Sequence, residues 1–150
     1  MAVINVGITH EEAKEVTKLL EPGKGRGPRG MYRMAFKGFF RREKDKSESI
    51  IQTTKSGGKM LTALFASADP DILNKGNIMY NAPFSPPSKF YADLIEALPE
   101  LYASGQELDD ALAMNREVWA GVTVDEIERD GQKTGQFRNG ISVLVNINAI

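Results

Sequence analysis

The sequence predicts a mainly β fold with some helix: an OB-fold-like barrel of five strands, with a helical insertion before the final hairpin. Three observations point there. Segments alternating with period two recur at Met31–Arg42, Lys59–Ser67, Asn77–Phe84, Glu117–Glu128 and Gln136–Ile147. A stripe of helical spacing, Tyr91, Leu94, Ile95 and Leu98, separates the third strand from the fourth. Asp130-Gly131 is a tight hairpin signal between the last two strands. Three strands, a helix and two strands is the order of a five-stranded Greek-key barrel. A small sandwich and an open α+β sheet share that order and compete with it.

The elements follow in chain order. Thr9-His10-Glu11-Glu12 has capping-box spacing, and Ala13, Val16, Leu19 and Leu20 continue at helical spacing, so a helix is expected over His10–Leu20. Glu21-Pro22-Gly23 ends it. Gly23–Gly30 (GKGRGPRG) holds four glycines and three cations and reads as a mobile arm. Residues 1–29 therefore form a helix and a Gly/Arg-rich arm, and residues 30–150 the OB-like domain.

In Met31–Arg42, alternation puts Tyr32, Met34, Phe36 and Phe40 on one face, and Arg33, Lys37, Phe39 and Arg41 on the other. Glu43–Glu48 is a charged turn, and Ser49–Thr54 a short β-prone run. Lys59–Ser67 is apolar on both faces, as a central strand would be. Pro86-Pro87 ends Asn77–Phe84, and a helix over Ser88–Leu98 follows. Pro99 kinks or restarts it, and Asp109–Asn115 is a short helical turn. In the last pair, Val118, Ala120, Val122 and Val124 share one face, as do Phe137, Ile141, Val143, Val145 and Ile147. Trp119 faces away from the valine stripe.

Composition excludes several chemistries. The chain has 150 residues, 41% of them hydrophobic, which suits one globular domain. With no cysteine and one histidine, it can form no disulfide, thiolate nucleophile or two-His metal site. No apolar stretch approaches the roughly 18 residues of a membrane span. The start lacks a signal-peptide pattern, so a soluble, cytoplasmic protein is expected.

Charge is poorly mixed. The formal net charge is −1, yet Glu21–Lys59 carries 11 basic and 4 acidic residues, and Met60–Ile150 carries 6 basic and 13 acidic. A basic block of this kind suits a phosphate-rich partner, or is simply a solvated face. Thr54–Lys59 (TKSGGK) is no P-loop: it lacks the upstream glycine, and Met60 stands where Ser or Thr is required. Of the acid pairs Asp69/Asp71, Asp109/Asp110 and Asp125/Glu126, the first sits in a turn and the second before a helical turn, and all three read as solvated carboxylates. His10 falls in the capping box. No catalytic set, cofactor site or metal site emerges, so no enzyme activity is expected.

The Met31–Arg42 strand is more specific. Cations that follow a backbone and an exposed ring on which bases stack are the two ingredients of single-strand binding. The expected nucleic-acid-binding residues are Lys24, Arg26 and Arg29 of the arm, Arg33, Lys37 and Arg41 of the strand, and Lys55 and Lys59 of the next turn. Phe39 and Trp119 are the stacking candidates, the alternative for each being burial.

Lys55–Phe65 (KSGGKMLTALF), after the strand start Gly30-Met31-Tyr32, resembles a family of small phage replication proteins that bind single-stranded DNA. Thr54–Leu61, the helix near Ser88–Leu98, the strand Glu117–Glu128 and Arg138-Asn139-Gly140-Ile141 carry the likeness, which spans most of Gly30–Val145. The stretch between Arg42 and Thr54 is longer than the family's, and no acidic tail closes the sequence. The resemblance implies an OB-like protein that coats single-stranded DNA during phage replication or recombination in the host cytoplasm. A second copy and replication or recombination proteins are further partners left open. A structural subunit of a phage particle is the alternative.

Overall fold

The computed structural model describes residues 19–41, 50–69, 74–102, 105 and 107–148. All but the end of the expected helix His10–Leu20, the turn Glu43–Glu48 and Asp71 lie outside the described residues. Six strands form one antiparallel sheet: β1 (Tyr32–Phe39), β2 (Gln52–Thr53), β3 (Lys59–Ser67), β4 (Lys75–Asn81), β5 (Glu117–Arg129) and β6 (Gln132–Asn146). The sixth strand is β2, two residues of the short β-prone run. No helix among the described residues is long and apolar enough to cross a membrane.

β3 is central, as its two apolar faces require. One edge pairs with β4, from Met60 opposite Asn81 to Ala66 opposite Lys75. The other edge takes β2 at its start and β1 along its second half. β1 then pairs with β5, and β5 with β6. The inner face buries Met34, Phe36, Leu61, Phe65, Tyr80, Val118 and Leu144. Phe36 packs edge-on to Phe39 with ring centres 5.4 Å apart, and lies 5.5 Å from Phe65.

The sheet curls until its edge strands β4 and β6 approach each other, but it does not close: no backbone pairing joins them among the described residues. Side chains bridge the seam instead. In its middle, a Cβ on Gly76 would stand 3.1 Å from Ile141 Cγ1, so glycine permits the approach. At one end Asn74 Nδ2 donates to Asn139 Oδ1 at 2.8 Å. Asn139 also exchanges hydrogen bonds with the Leu20 backbone, at 2.9 and 2.8 Å, and donates to Thr123 O. At the other end the buried Asp93 accepts from the Tyr80 hydroxyl of β4 and, at 2.8 Å, from the Leu144 N–H of β6. Burial, with the hydrogen bond and charge of Asp93, pushes the Tyr80 hydroxyl above the usual phenol value.

Asp93 comes from the predicted helix, which forms over residues 89–97 with a π-helical turn at Tyr91–Ile95. Ser88 Oγ accepts the Tyr91 N–H at 3.1 Å and caps it. Phe90, Leu94, Leu98 and Leu101 are buried at spacings of four, four and three, so one face of the segment lies in the core. Pro99 restarts the chain in a short 3-10 turn, Pro99–Tyr102. Another 3-10 turn, Asp110–Ala113, is capped by Asp109, whose side chain accepts the Ala111 N–H at 3.0 Å.

β6 departs from the expected alternation. Gly121 pairs with Val143 but Val122 pairs with Ile141, so one extra residue on β6 reverses its faces. Ile141 and Leu144 turn inward, while Val143 is exposed. Phe137, expected in the core with Ile141, is 51% exposed, because the β5–β6 ribbon runs past the strands that would cover it.

Asp93→Ala leaves two buried donors without an acceptor. It should cost about 2–5 kcal/mol, read as a lower urea midpoint. Asp93→Asn, which keeps one acceptor oxygen, should fall between it and the wild type. An unchanged midpoint for Asp93→Ala would contradict the role given to the seam.

Candidate nucleic-acid interface

The outer face of the sheet is shaped by a bulge in β1. Phe36 pairs with Phe65 and Phe39 with Ala63, three steps on β1 against two on β3. Gly38 sits in the bulge with φ +95°, a conformation that favours glycine. The extra residue exchanges the faces of everything after it. Phe39, a stacking candidate by simple alternation, turns inward and is 4% exposed. No base can reach it. Phe40 turns outward and is 42% exposed. Its N–H donates to Thr62 O at 2.9 Å, which places it beside Thr62 on the face shared by Leu64 and Ala66.

Arg41 is displaced by the same shift. Its guanidinium makes a two-pronged ion pair with Asp110, at 2.7 and 3.1 Å, and donates to Phe39 O at 3.2 Å. Asp110 also accepts the Phe39 N–H at 3.1 Å. Hydrogen bonds from Arg41 hold the Asp110 carboxyl below its usual value, against the opposing effect of burial. Arg41 is thus tied to the protein's own carboxylate on the helical side and leaves the group formed by Arg33 and Lys37.

The Gly/Arg arm is folded onto the sheet. Gly25 N–H donates to Gly30 O at 2.8 Å and Gly27 N–H to Met31 O at 2.9 Å. Tyr32 Oη donates to Glu21 O at 2.8 Å. A Cβ on Gly27 would run into the Trp119 ring, so the glycine lets the arm lie on the indole. Trp119 is half-buried beneath it, the covered alternative of the sequence reading. Lys24, Arg26 and Arg29 remain exposed on the arm above it.

Arg33 lies directly opposite Trp119. Its Nε is 3.7 Å from Glu117, and both side chains are about half-exposed, so the pair is weak and screened. Lys37 Nζ donates to Asn115 Oδ1 at 2.7 Å. Two strands away, Lys75 pairs with Ala66, which pairs with Ala35, so it stands on the same outer face. The structure therefore gathers Arg33, Lys37, Lys75 and the arm cations. It separates Lys55 and Lys59 from them. Both are exposed around the β2–β3 turn at the far end of β3, and Lys59 alternates with Leu61 and Ala63 on the inner side.

Phe40, Lys75 and Met79 were missed by alternation and motif. A glycine inside a strand pattern signals a bulge, and Gly38 was that signal for Phe40. Asp125 accepts from Thr123 Oγ1 at 3.0 Å and Glu126 from Gly135 N–H at 3.1 Å. Among the described residues no group of His, Cys, Asp or Glu could hold a metal ion. No protein-family model matches the chain, and a search of curated proteins finds no match.

Two measurements check this geometry. A carboxylate with a depressed folded value adds stability above the ordinary carboxylate range, and that stability fades as pH falls through the folded value. The melting temperature of the wild type should therefore exceed that of Asp110→Asn at neutral pH, with the gap closing in acid. Gly27→Ala should push the arm off Trp119 and move the single tryptophan's emission to longer wavelength.

Proposed function

We propose that the protein is a non-enzymatic binder of single-stranded DNA with little sequence preference. One observation carries the reading: Arg33, Lys37, Lys75, Lys24, Arg26 and Arg29 gather on the outer face and arm, with Lys37, bonded to Asn115, bordering the acidic helical segment. Over 89–113 that segment holds Asp93, Glu96, Glu100, Glu107, Asp109 and Asp110 against Lys89 alone. Such a dipolar molecule presents one side to a polyanion and turns the other away. Cations on flexible stems meet phosphates without reading base edges, which accounts for weak sequence preference.

We read the curled, side-chain-bridged sheet as OB-like, an architecture suited to this task because its outer strand face is open. The setting, phage DNA replication or recombination, rests on the resemblance carried by Thr54–Leu61. A subunit of a phage particle is the second reading. It is favoured by the β5–β6 ribbon, which extends beyond the sheet with Val124 and Phe137 exposed. Large, regular assemblies seen by light scattering without DNA would support that reading instead.

Titration with oligo-dT should show binding at low salt that weakens steeply as salt rises. Arg33→Glu with Lys37→Glu should keep the fold and lower affinity. Its log–log salt slope should flatten by roughly 0.7 for each phosphate that the variant no longer neutralises. Absence of binding at low salt would refute the proposal.

A further inference from the structure

The bulge in β1 does more than relocate a phenylalanine. Phe40 stands beside Thr62, and Thr62 pairs with Met79 on β4, so three residues form one row across the outer face. The two outer members are open, Phe40 at 42% and Met79 at 56%, while Thr62 between them is 7% exposed. The row crosses two strand spacings, about 10 Å, a span suited to one planar heterocycle. A rigid ring at one end and a polarizable, adaptable thioether at the other make an apolar floor. Asn77 and Asn81 flank Met79 on the same face of β4 and give it a polar rim.

We propose that Phe40 and Met79 form the platform on which a nucleobase of a single-stranded polynucleotide stacks. This rests on the single-strand reading above and supplies what that reading lacked. Phe39 is inside the core and Trp119 lies under the arm, so neither offers an open ring. The charges nearby select the occupant. Lys37, on the strand of Phe40, and Lys75, on the strand of Met79, lie on the same side of the row, and the rows of Met60, Thr62 and Leu64 carry no carboxylate on β3 or β4. A polyanion is attracted there, whereas a second copy would bring like charges together. Phosphates passing Arg33 and Lys37 would set a neighbouring base down on Phe40.

The test compares oligo-dT with an abasic phosphodiester chain of equal length, using the full chain, Phe40→Ala, Met79→Ala and Phe40→Trp. The wild type should prefer oligo-dT. Phe40→Ala should lower oligo-dT affinity about 5- to 150-fold for one missing stack. Its salt slope and its affinity for the abasic chain should stay unchanged. Phe40→Trp should restore binding, and Met79→Ala should give a smaller loss of the same kind. Equal oligo-dT affinity for Phe40→Ala and a binding-competent wild type would overturn the platform while leaving the single-strand reading intact. An equal loss on both ligands would also overturn it, marking a structural role. So would self-association that Phe40→Ala abolishes without changing DNA affinity. A wild type that binds neither chain would overturn the underlying reading itself.

Discussion

One buried carboxylate holds the curl of this sheet. Asp93 receives the Tyr80 hydroxyl from one edge strand and the Leu144 amide from the other, so a side chain stands where a closed barrel would have a backbone ladder. Buried acids are rare because desolvation disfavours charge, and this one is retained with both oxygens accepting hydrogen bonds. It also ties the helical segment to both edge strands, since Asp93 lies within the turn Tyr91–Ile95. The curl in turn decides which sheet face is solvent-facing.

The acidic helical segment and the cationic outer face are two results of the same packing. The segment buries Phe90, Leu94, Leu98 and Leu101 on the inner side and leaves Glu96 exposed there. The net charge of −1 conceals this separation because opposite excesses cancel in the sum. A field of two signs orients a charged partner before contact, an effect that salt erodes. Arg41 marks the boundary. It is paired to Asp110 and so belongs energetically to the acidic side, although it follows Lys37 closely in the chain.

Much of the strand layout was legible in the residues. β3 runs over Lys59–Ser67 as its pattern indicated, and the Asp130-Gly131 turn joins β5 to β6. Local alternation and turn chemistry are enough where a strand is regular. They failed at the bulge of β1 before Phe39 and at that of β6 between Ile141 and Val143, where parity inverts and neighbouring side chains trade faces. Phe39, Phe137 and Val143 were misplaced for that reason or because the ribbon outruns its cover. Asp93 and Asn139 were illegible for another reason. Their most distant partners, Leu144 and Leu20, are 51 and 119 residues away, and nothing local distinguishes an acid that will be buried from one that will be solvated. Of the expected cations, Arg33, Lys37 and those of the arm come together, whereas Arg41, Lys55 and Lys59 do not, and neither Lys75 nor an exposed ring at Phe40 was legible.

The paired phenylalanines at 39 and 40 have a consequence for how this strand can vary. With the same side chain at both places, either phase of the strand supplies one ring to the interior and one to the surface. Hydrophobicity is therefore degenerate there, and identity at those two positions carries little information about phase. The information resides in Gly38, whose φ of +95° few other residues adopt cheaply, and in the count of residues between Phe36 and Phe39. A deletion of one residue in that interval would transpose the two rings and redirect Arg41, whereas exchanging one aromatic for another would leave the frame untouched.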